Sequence, residues 1–330
     1  MSNEAMKISD GSILLSPGRR MCAYDDSNRY LDAMELHFEE IKEHGFNSVL
    51  LCITEADLAQ RTAMYPNRSH ISKMFELAHD HGLYPGIDPW KLGNIFGGEA
   101  MSGLGTQTLH KNGRIKEVGI ADPHRQETVD LMELFLDTAA IANTKYVFFD
   151  EPNFGPESTA AEIEFIDRWT EYAHSLGIAT SVCLTSGRKL HALAEKVVAL
   201  THVDEIATDP IYSGPAIVSL LPGSNNDSVE TYVGNAAMTV SKIAQDAGKQ
   251  AAVWIQGHII GDGHEQVIVH DGATEAAKYV KNLGFWGFRG CTTYSNISSV
   301  NPELVWQIAG RTFSELAKTT PQYSRHDGEL

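Results

Sequence analysis

The chain alternates between two hydrophobic periods. Helix-period stretches carry apolar residues at i, i+3, i+4 and i+7, and short runs of β-branched or aromatic residues follow them. The helical stretches are residues 30–44, 71–81, 126–142, 160–176, 232–247 and 273–283. The strand-like runs are residues 12–15, 47–52, 83–87, 146–149, 178–184, 205–207, 251–255 and 285–288. The pattern predicts eight strands that alternate with helices.

This alternation predicts parallel strands joined by right-handed crossovers, and eight such units close an α/β (β/α)8 TIM barrel. An open doubly wound sheet is the alternative, but no GxGxxG or P-loop follows the first predicted strand. No composition shift marks a linker, so we expect residues 1–330 to form a single TIM-barrel domain with a core of about residues 10–315 and a flexible C-terminal tail. Residues 91–122 and 213–228 are expected to be long βα loops after strands 3 and 6.

Composition narrows the classes of partner. Of 330 residues, 42% are hydrophobic and 21% are charged, which is typical of a globular protein. With 26 basic and 43 acidic residues, the net charge of −17 disfavours nucleic acid and anionic membranes as partners. The N-terminus lacks a secretory signal, no stretch resembles a membrane span, and the cysteines have no paired spacing. We therefore expect a cytoplasmic protein, and a homo-oligomer is left open.

Acidic residues followed by proline mark three predicted strand ends. Asp88 follows the third strand, Asp150 and Glu151 follow the fourth, and Asp209 follows the sixth. In a TIM barrel the reacting groups project from these ends, and the proline holds the preceding acid in extended geometry. Asp-Pro is also an ordinary turn signal. An ordinary turn explains the adjacent pair Asp150-Glu151 least well, because unpaired charges beside an apolar interior are costly.

Aromatic and polar residues accompany these acids at or just beyond the predicted strand ends. Aromatic faces and amide groups at such positions are typical of sugar-binding sites. The expected substrate-binding residues are Asp88, Trp90, Glu99, Phe154, Tyr212, Trp254, Gln256, His258, Trp286 and Tyr294. For Trp254 and Trp286 the alternative is that they fill the barrel or the space beneath its helices.

Other chemistries find less support in the sequence. His264 and His270 are six residues apart, rather than the four that place two zinc ligands on one helical face. Ser186-Gly187 lacks the GxSxG frame of a hydrolase serine. A metal-dependent sugar isomerase would draw ligands from several strand ends including the eighth, and residues 289–294 contain no acid. We therefore expect no metal and no cofactor.

Five segments together resemble glycoside-hydrolase-like TIM barrels at the superfamily level, over most of residues 10–315. They are residues 86–90, 96–100, 148–152, 207–210 and 253–256. The chain departs from the common arrangement with acids on strands four and seven, because Gln256 ends the seventh strand. The remaining pattern is similar to barrels whose nucleophile is an Asp on strand four and whose acid/base is an Asp on strand six.

The resemblance implies a glycosidase acting on a small saccharide or glycoside. Asp150 is then the nucleophile and Asp209 the acid/base, while Glu151 is the alternative acid with Asp150 orienting it. The sequence does not decide between retention and inversion of the anomeric configuration. Two other functions stay open, a metal-dependent sugar isomerase or epimerase and a carbohydrate-binding barrel without catalysis.

Overall fold

A computed structural model describes residues 19–23, 31–52, 69–88, 105–109, 115–121, 126–152, 159–187, 189–211, 228–291 and 298–319. Its strands are β1 (Arg19–Ala23), β2 (Ser48–Cys52), β3 (Tyr84–Asp88), β4 (Gly105–Leu109), β5 (Ile115–Ala121), β6 (Tyr146–Phe149), β7 (Ala179–Leu184), β8 (Glu205–Thr208), β9 (Gln250–Gln256) and β10 (Asn282–Trp286). Eight of these form a closed parallel barrel in the order β1-β2-β3-β6-β7-β8-β9-β10, and β10 pairs with β1. The other two, β4 and β5, form a separate antiparallel pair.

Helices follow most of the barrel strands. They are α1 (Leu31–Glu43), α2 (Ser69–Asp80), α3 (Gln126–Ile141), α4 (Thr159–Ser175), α5 (Leu190–Val198), α6 (Val229–Asp246), α7 (Gly272–Ala276) and α8 (Pro302–Thr319). A π-helical segment, Gln266–Asp271, leads into α7. Ser228 caps α6 by accepting a hydrogen bond from the Thr231 backbone N at 3.2 Å, as serine commonly does at a helix start. Within the described ranges, none of the helices is both long enough and apolar enough to cross a lipid bilayer.

The strands divide their residues between two hydrophobic clusters. On β6, Val147 and Phe149 face outward into the large cluster between barrel and helices, whereas Tyr146 and Phe148 face the barrel interior. This alternation is the two-residue period of a strand. The interior cluster comprises Leu50, Tyr146, Phe148, Ala179, Cys183, Ala207, Ala252 and Trp254. Side chains therefore fill the barrel, as is usual for this fold.

Two glycines make room for the largest interior rings. A Cβ on Gly86 would lie 2.2 Å from the Tyr146 ring, and a Cβ on Gly284 would lie 2.2 Å from the Trp254 ring. These distances are far below van der Waals contact, so any side chain at either position would displace the ring. Gly284 thus explains why the eighth barrel strand has a weak hydrophobic pattern.

The predicted barrel is confirmed, with two strand positions wrong. Residues 12–15 were expected to be the first strand, but that strand is β1, and residues 12–15 lie outside the described residues. Pairing with β2 and β10 selects Arg19–Ala23 over the more apolar run, because strand formation depends on neighbouring strands. The eighth strand is Asn282–Trp286 rather than 285–288, since its register with β9 uses Asn282 and Leu283.

Several helical boundaries also differ from the expectations. The stretch 273–283 is divided, because α7 ends at Ala276 and the chain enters β10 at Asn282. The helices α5 and α8 were not predicted. The expected loop of residues 91–122 contains the antiparallel pair β4 and β5, so it carries secondary structure of its own.

Candidate active site

The alternation of the barrel strands continues past their ends and directs three acids inward. Asp88 is the last residue of β3 and is fully buried. Asp150 lies two residues beyond the inward Phe148 and is 7% exposed, and Asp209 lies two residues beyond the inward Ala207. The three acids therefore lie at the carboxyl-terminal mouth of the barrel, as the sequence predicted. This is the end at which TIM-barrel enzymes carry their active sites.

Glu151 lies beside this group in an unusual backbone conformation. Its φ of 41° is in the left-handed region, which is uncommon for a residue other than glycine, so the extended geometry expected of an acid before proline is wrong for Glu151. The Glu151 backbone N donates a hydrogen bond to the Cys183 carbonyl at 3.1 Å, which ties the turn after β6 to β7. The Glu151 side chain is hydrogen-bonded to that of Asp209. Strict alternation of side chains along a strand would direct only one of two adjacent residues to the mouth. The strained backbone at Glu151 lets the side chains of both Asp150 and Glu151 reach it.

Asp150 and Asp209 approach each other closely around Cys183. One carboxylate oxygen of each aspartate and the Cys183 Sγ all lie within 4.8 Å of one another. Cys183 was not among the expected site residues, so its place beside the acids was missed. The signal was present in the two-residue period of β7, because Ser181 and Cys183 share the inward face.

Burial and mutual repulsion govern the protonation of these carboxyl groups. Burial raises the pKa of Asp150 well above its ordinary value, and the charges of Asp88 and Glu151 raise it further. Burial also raises the pKa of Asp209, with added contributions from the charges of Glu151 and Asp150 and from the hydrogen bond to Glu151. No Lys, Arg or His of the described ranges forms an ion pair with Asp150, Glu151 or Asp209. Asp150 and Asp209 therefore retain their protons to higher pH than isolated carboxyl groups would.

Tyr232, near the start of α6, is a second neighbour that the sequence analysis missed. Its hydroxyl is hydrogen-bonded to the Ser186 Oγ at 2.8 Å. Burial raises the pKa of Tyr232, and the charges of Asp209 and Glu151 contribute to the increase. Tyr232 thus borders the acid group from the helix that follows β8. Its position in an ordinary amphipathic helix gave no signal of this contact.

Gln256 ends β9 and His258 follows just beyond it, next to the strand that precedes Asp209. The Gln256 Nε2 donates to the His258 carbonyl at 2.8 Å. The His258 ring packs against the partly buried Trp286 with a centroid distance of 4.6 Å and is hydrogen-bonded to the Trp286 backbone. Burial lowers the pKa of His258 to about 4, so its imidazole is neutral at physiological pH. Trp254 lies deeper, 1% exposed, with its ring 4.9 Å from that of Phe148.

Four buried polar atoms at this mouth have no hydrogen-bond partner in the described part of the chain. They are Asp209 Oδ1, Trp254 Nε1, Gln256 Oε1 and His258 Nδ1. Most buried polar groups in proteins are hydrogen-bonded, and leaving one without a partner costs about 1–3 kcal/mol. Such atoms are available to water or to a ligand. The remaining expected site residues, Trp90, Glu99, Phe154, Tyr212 and Tyr294, lie outside the described residues.

Several solved structures have a barrel similar to that of this chain. An endo-1,4-β-mannanase from Rhizomucor miehei has a TM-score of 0.63 at 11% identity, covering 94% of this chain and 99% of that chain. The barrel is similar to those of glycoside hydrolases. A glycoside hydrolase family 5 mannosidase from Rhizomucor miehei has a TM-score of 0.59 at 13% identity, covering 96% of this chain and 100% of that chain. The GH113 β-mannanase AaManA from Alicyclobacillus acidocaldarius has a TM-score of 0.54 at 12% identity, covering 93% and 100%.

Sequence comparisons add no family. No family model matches the chain, and no curated protein sequence matches it significantly. At these identities the structural likeness establishes the fold, which agrees with the resemblance seen in the sequence. The chemistry has to be inferred from the arrangement of the side chains.

Proposed function

We propose that the protein is a glycoside hydrolase that cleaves a small saccharide or glycoside with two carboxyl groups, Asp150 and Asp209. The observation that carries the proposal is the approach of one oxygen of each carboxylate to within 4.8 Å of the other at the mouth of the barrel. Glycosidases need one carboxyl group to protonate the leaving oxygen and another to attack the anomeric carbon or activate water. The similarity to glycoside-hydrolase barrels supports this reaction class.

The short separation favours a retaining mechanism. Carboxyl groups of retaining enzymes lie about 5–5.5 Å apart, whereas inverting enzymes keep about 6.5–9.5 Å to accommodate the attacking water. In this mechanism Asp150 displaces the leaving group at the anomeric carbon and forms a glycosyl ester. Asp209 donates its proton to the leaving oxygen, and then removes a proton from the water that hydrolyses the ester. Two displacements at one carbon restore the original configuration.

Protonation of Asp209 is supported by its surroundings. Burial and the nearby charges of Glu151 and Asp150 favour the neutral form of Asp209, and its hydrogen bond to Glu151 favours it further. We assign to Glu151 the role of holding Asp209 in place through this hydrogen bond, rather than direct proton transfer to the substrate. Asp150 attacks as a carboxylate, and the positive charge that develops at the bound sugar stabilises this ionised form against burial and the negative charges of Asp88 and Glu151. The acids thereby stabilise the positively charged transition state more than they stabilise the neutral substrate.

The substrate class follows from the same charges. The absence of a described cation beside Asp150, Glu151 and Asp209 disfavours an anionic substrate at this end of the barrel. Among the similar structures, the family 5 mannosidase has been solved in complex with mannosyl-fructose, a neutral disaccharide. We infer that the substrate is a small neutral carbohydrate.

An NMR time course tests the proposal. The purified protein is incubated with α- and β-linked methyl and nitrophenyl glycosides and with disaccharides, alongside Asp150→Asn and Asp209→Asn. We expect cleavage by the wild type only, and the first sugar released should have the anomeric configuration of the substrate. First formation of the opposite anomer would contradict the retaining mechanism, and cleavage that survives both substitutions would contradict the catalytic assignment.

A metal-dependent sugar isomerase is the second candidate, favoured by the same three atoms. Asp150, Cys183 and Asp209 present ligand atoms within 4.8 Å of one another, which is suitable spacing for one divalent cation. An isomerase would interconvert free aldoses and ketoses in the NMR experiment without cleaving a glycosidic bond. It would also lose activity on treatment with chelator and regain it with Mn²⁺, Mg²⁺ or Zn²⁺, whereas the hydrolase should be insensitive to both.

A further inference from the structure

The carboxyl end of β9 carries two hydrogen-bond acceptors whose orientation is fixed. The Gln256 Nε2 donates to the His258 carbonyl at 2.8 Å, so the Gln256 Oε1 is directed away from that carbonyl. Turning the amide over would place one oxygen against another. The Oε1 is buried without a partner in the described part of the chain. It is therefore an acceptor that lacks a donor.

The imidazole of His258 is an acceptor for a similar reason. Its hydrogen bond to the Trp286 backbone is made by a ring nitrogen that donates to a carbonyl, and Nδ1 is buried without a partner among the described residues. The bonded nitrogen is thus Nε2 in its protonated form. A neutral imidazole protonated at Nε2 exposes a lone pair at Nδ1. His258 is 7% exposed, so bulk water reaches this lone pair poorly.

The backbone around His258 is held in a strained conformation. Ile259 has a φ of 54°, which is rare for a β-branched residue. Three hydrogen bonds hold the segment: Ile260 N to Ser299 Oγ at 3.1 Å, Ser299 Oγ to the Gly257 carbonyl at 3.1 Å, and Val300 N to the Ile260 carbonyl at 2.9 Å. Strain of this kind persists where the surrounding structure fixes it, and it is concentrated at binding sites.

Trp286 completes the arrangement. It is the residue of β10 that pairs with Gln256, so both lie on the inward face of neighbouring strands. Its ring contacts His258 on one side and packs against the interior cluster. An aromatic ring beside two acceptors suits a sugar, whose C–H groups pack on the ring while its hydroxyl groups donate hydrogen bonds.

We propose that Gln256 and His258 bind two hydroxyl groups of the substrate through Gln256 Oε1 and His258 Nδ1, and that this pair selects unmodified neutral sugars. The proposal rests on the proposed glycosidase function for the identity of the substrate. Both acceptors require a hydrogen-bond donor. A hydroxyl group supplies one, whereas a carboxylate, phosphate or methoxy group has no hydrogen to donate. An anionic group would also approach the acids at the mouth. Uronic acids and sugar phosphates should therefore bind poorly.

Binding measurements in an Asp150→Asn background test the proposal independently of cleavage. The probes are the methyl α- and β-D-glycopyranosides of glucose, mannose and galactose, the monodeoxy analogues of each member that binds, and methyl glucuronide and glucose 6-phosphate. Dissociation constants are obtained by NMR titration for the parent and for Gln256→Met, His258→Phe and His258→Asn. Gln245→Met and His264→Phe, both at exposed positions, serve as matched controls. Near-UV circular dichroism verifies the fold of each variant.

The expected result is a coupled loss. Gln256→Met and His258→Phe should each weaken binding of the preferred glycoside about tenfold, and the controls should not. One monodeoxy analogue should bind to the Asp150→Asn parent about tenfold more weakly than the preferred glycoside does. His258→Phe should bind this analogue as well as the parent does, and a second monodeoxy analogue should show the same behaviour with Gln256→Met. His258→Asn, which restores an acceptor near Nδ1, should recover much of the affinity.

Other outcomes separate the two proposals. Affinities that survive both substitutions, losses that are independent of the deoxy position, or binding confined to the anionic probes would overturn the hydroxyl-binding pair. Coupled losses together with no cleavage by the protein that retains Asp150 would instead overturn the glycosidase and leave the binding pair standing. Failure of every neutral glycoside to bind would overturn the pair as well.

Discussion

Buried acids at the two ends of the barrel differ in their hydrogen bonds. At the amino-terminal end, Glu205 is fully buried and accepts hydrogen bonds from Ser181 Oγ and Asn282 Nδ2, each at 2.6 Å. Asn282 Nδ2 also donates to Gln250 Oε1 at 3.1 Å. At the carboxyl-terminal mouth, acids crowd together and four buried polar atoms have no partner in the described ranges.

This difference separates a structural network from a binding site. A buried polar network whose members are all hydrogen-bonded stabilises and rigidifies a fold. Buried groups without partners cost stability, and at a binding site a ligand provides the missing hydrogen bonds. Both ends contain buried acids, so burial of an acid does not by itself indicate catalysis. The state of its hydrogen bonds is more informative.

The largest expected effect is the loss of enzymatic activity when an acid at the mouth is replaced. Asp150→Asn and Asp209→Asn should each lower kcat/KM by at least about 10³-fold, because each removes a group that acts in the transition state. Glu205→Gln, an equivalent change at the other end, should lower it less than about threefold. Initial rates on the preferred glycoside decide the matter. Equal losses at the two ends would remove the distinction drawn between them.

Loss of stability, in contrast, should be larger for a substitution at the amino-terminal end of the barrel than for one at the mouth. Glu205→Ala leaves Ser181 and Asn282 without their shared acceptor in the barrel interior, which should cost about 3 kcal/mol of unfolding free energy. Urea denaturation measures this. Glu195→Ala, at an exposed position of α5, is the control and should change stability by less than about 0.5 kcal/mol. A small effect at Glu205 would mean that its network contributes little.

The pH dependence of stability should report the buried His258. The pKa of His258 is about 4 in the folded state and about 6.5 in the unfolded chain, so the unfolded chain takes up its proton first as the pH falls. His258 should therefore destabilise the fold progressively from about pH 6.5 to pH 4, by up to about 3 kcal/mol. His258→Asn should flatten this part of the curve. A curve for His258→Asn with the same slope as that of the wild type would contradict the burial of His258.

The acids at the mouth should affect stability with the opposite sign. Because the folded-state pKa of Asp209 is raised, its contribution is present at low pH and is lost as the pH rises through that pKa. Asp209→Asn should thus stabilise the protein at pH 7 by about 1 kcal/mol, with the gain vanishing near pH 4. Asp167→Asn, at an exposed position of α4, is the control for thermal unfolding. Destabilisation by Asp209→Asn at pH 7 would show that the acid group is structurally favourable.

Much of the fold could be predicted from the sequence because hydrophobic periodicity is strong in most elements. The runs at β6, β7 and β9 are buried on both faces, so they appear as apolar runs in the chain. β1 contains two arginines, and β10 contains Asn282 and Gly284 on its inward face, so local hydrophobicity misplaced both. Their positions are determined by pairing with neighbouring strands, which a local pattern does not contain.

The candidate site was predictable where strand ends determine it. The positions of Asp88, Asp150 and Asp209 at the mouth follow from strand alternation and the general geometry of the barrel. The closeness of Cys183 to Asp150 and Asp209 depends on how β6, β7 and β8 are staggered in the closed barrel. The contact of Tyr232 with Ser186 depends on how α6 packs. Such tertiary distances cannot be obtained from one sequence.

Azide rescue tests the assignment of the two carboxyl groups most directly. Asp150→Gly and Asp209→Gly are incubated with the aryl glycoside that the wild type cleaves, with and without sodium azide, and the products are identified by NMR. With Asp150→Gly, azide should attack the anomeric carbon in place of the carboxylate, expel the phenolate and give a glycosyl azide of inverted configuration. With Asp209→Gly, azide should attack the glycosyl ester on Asp150 and give the retained configuration. Exchange of the two configurations, or no glycosyl azide from either variant, would contradict Asp150 as nucleophile and Asp209 as acid/base.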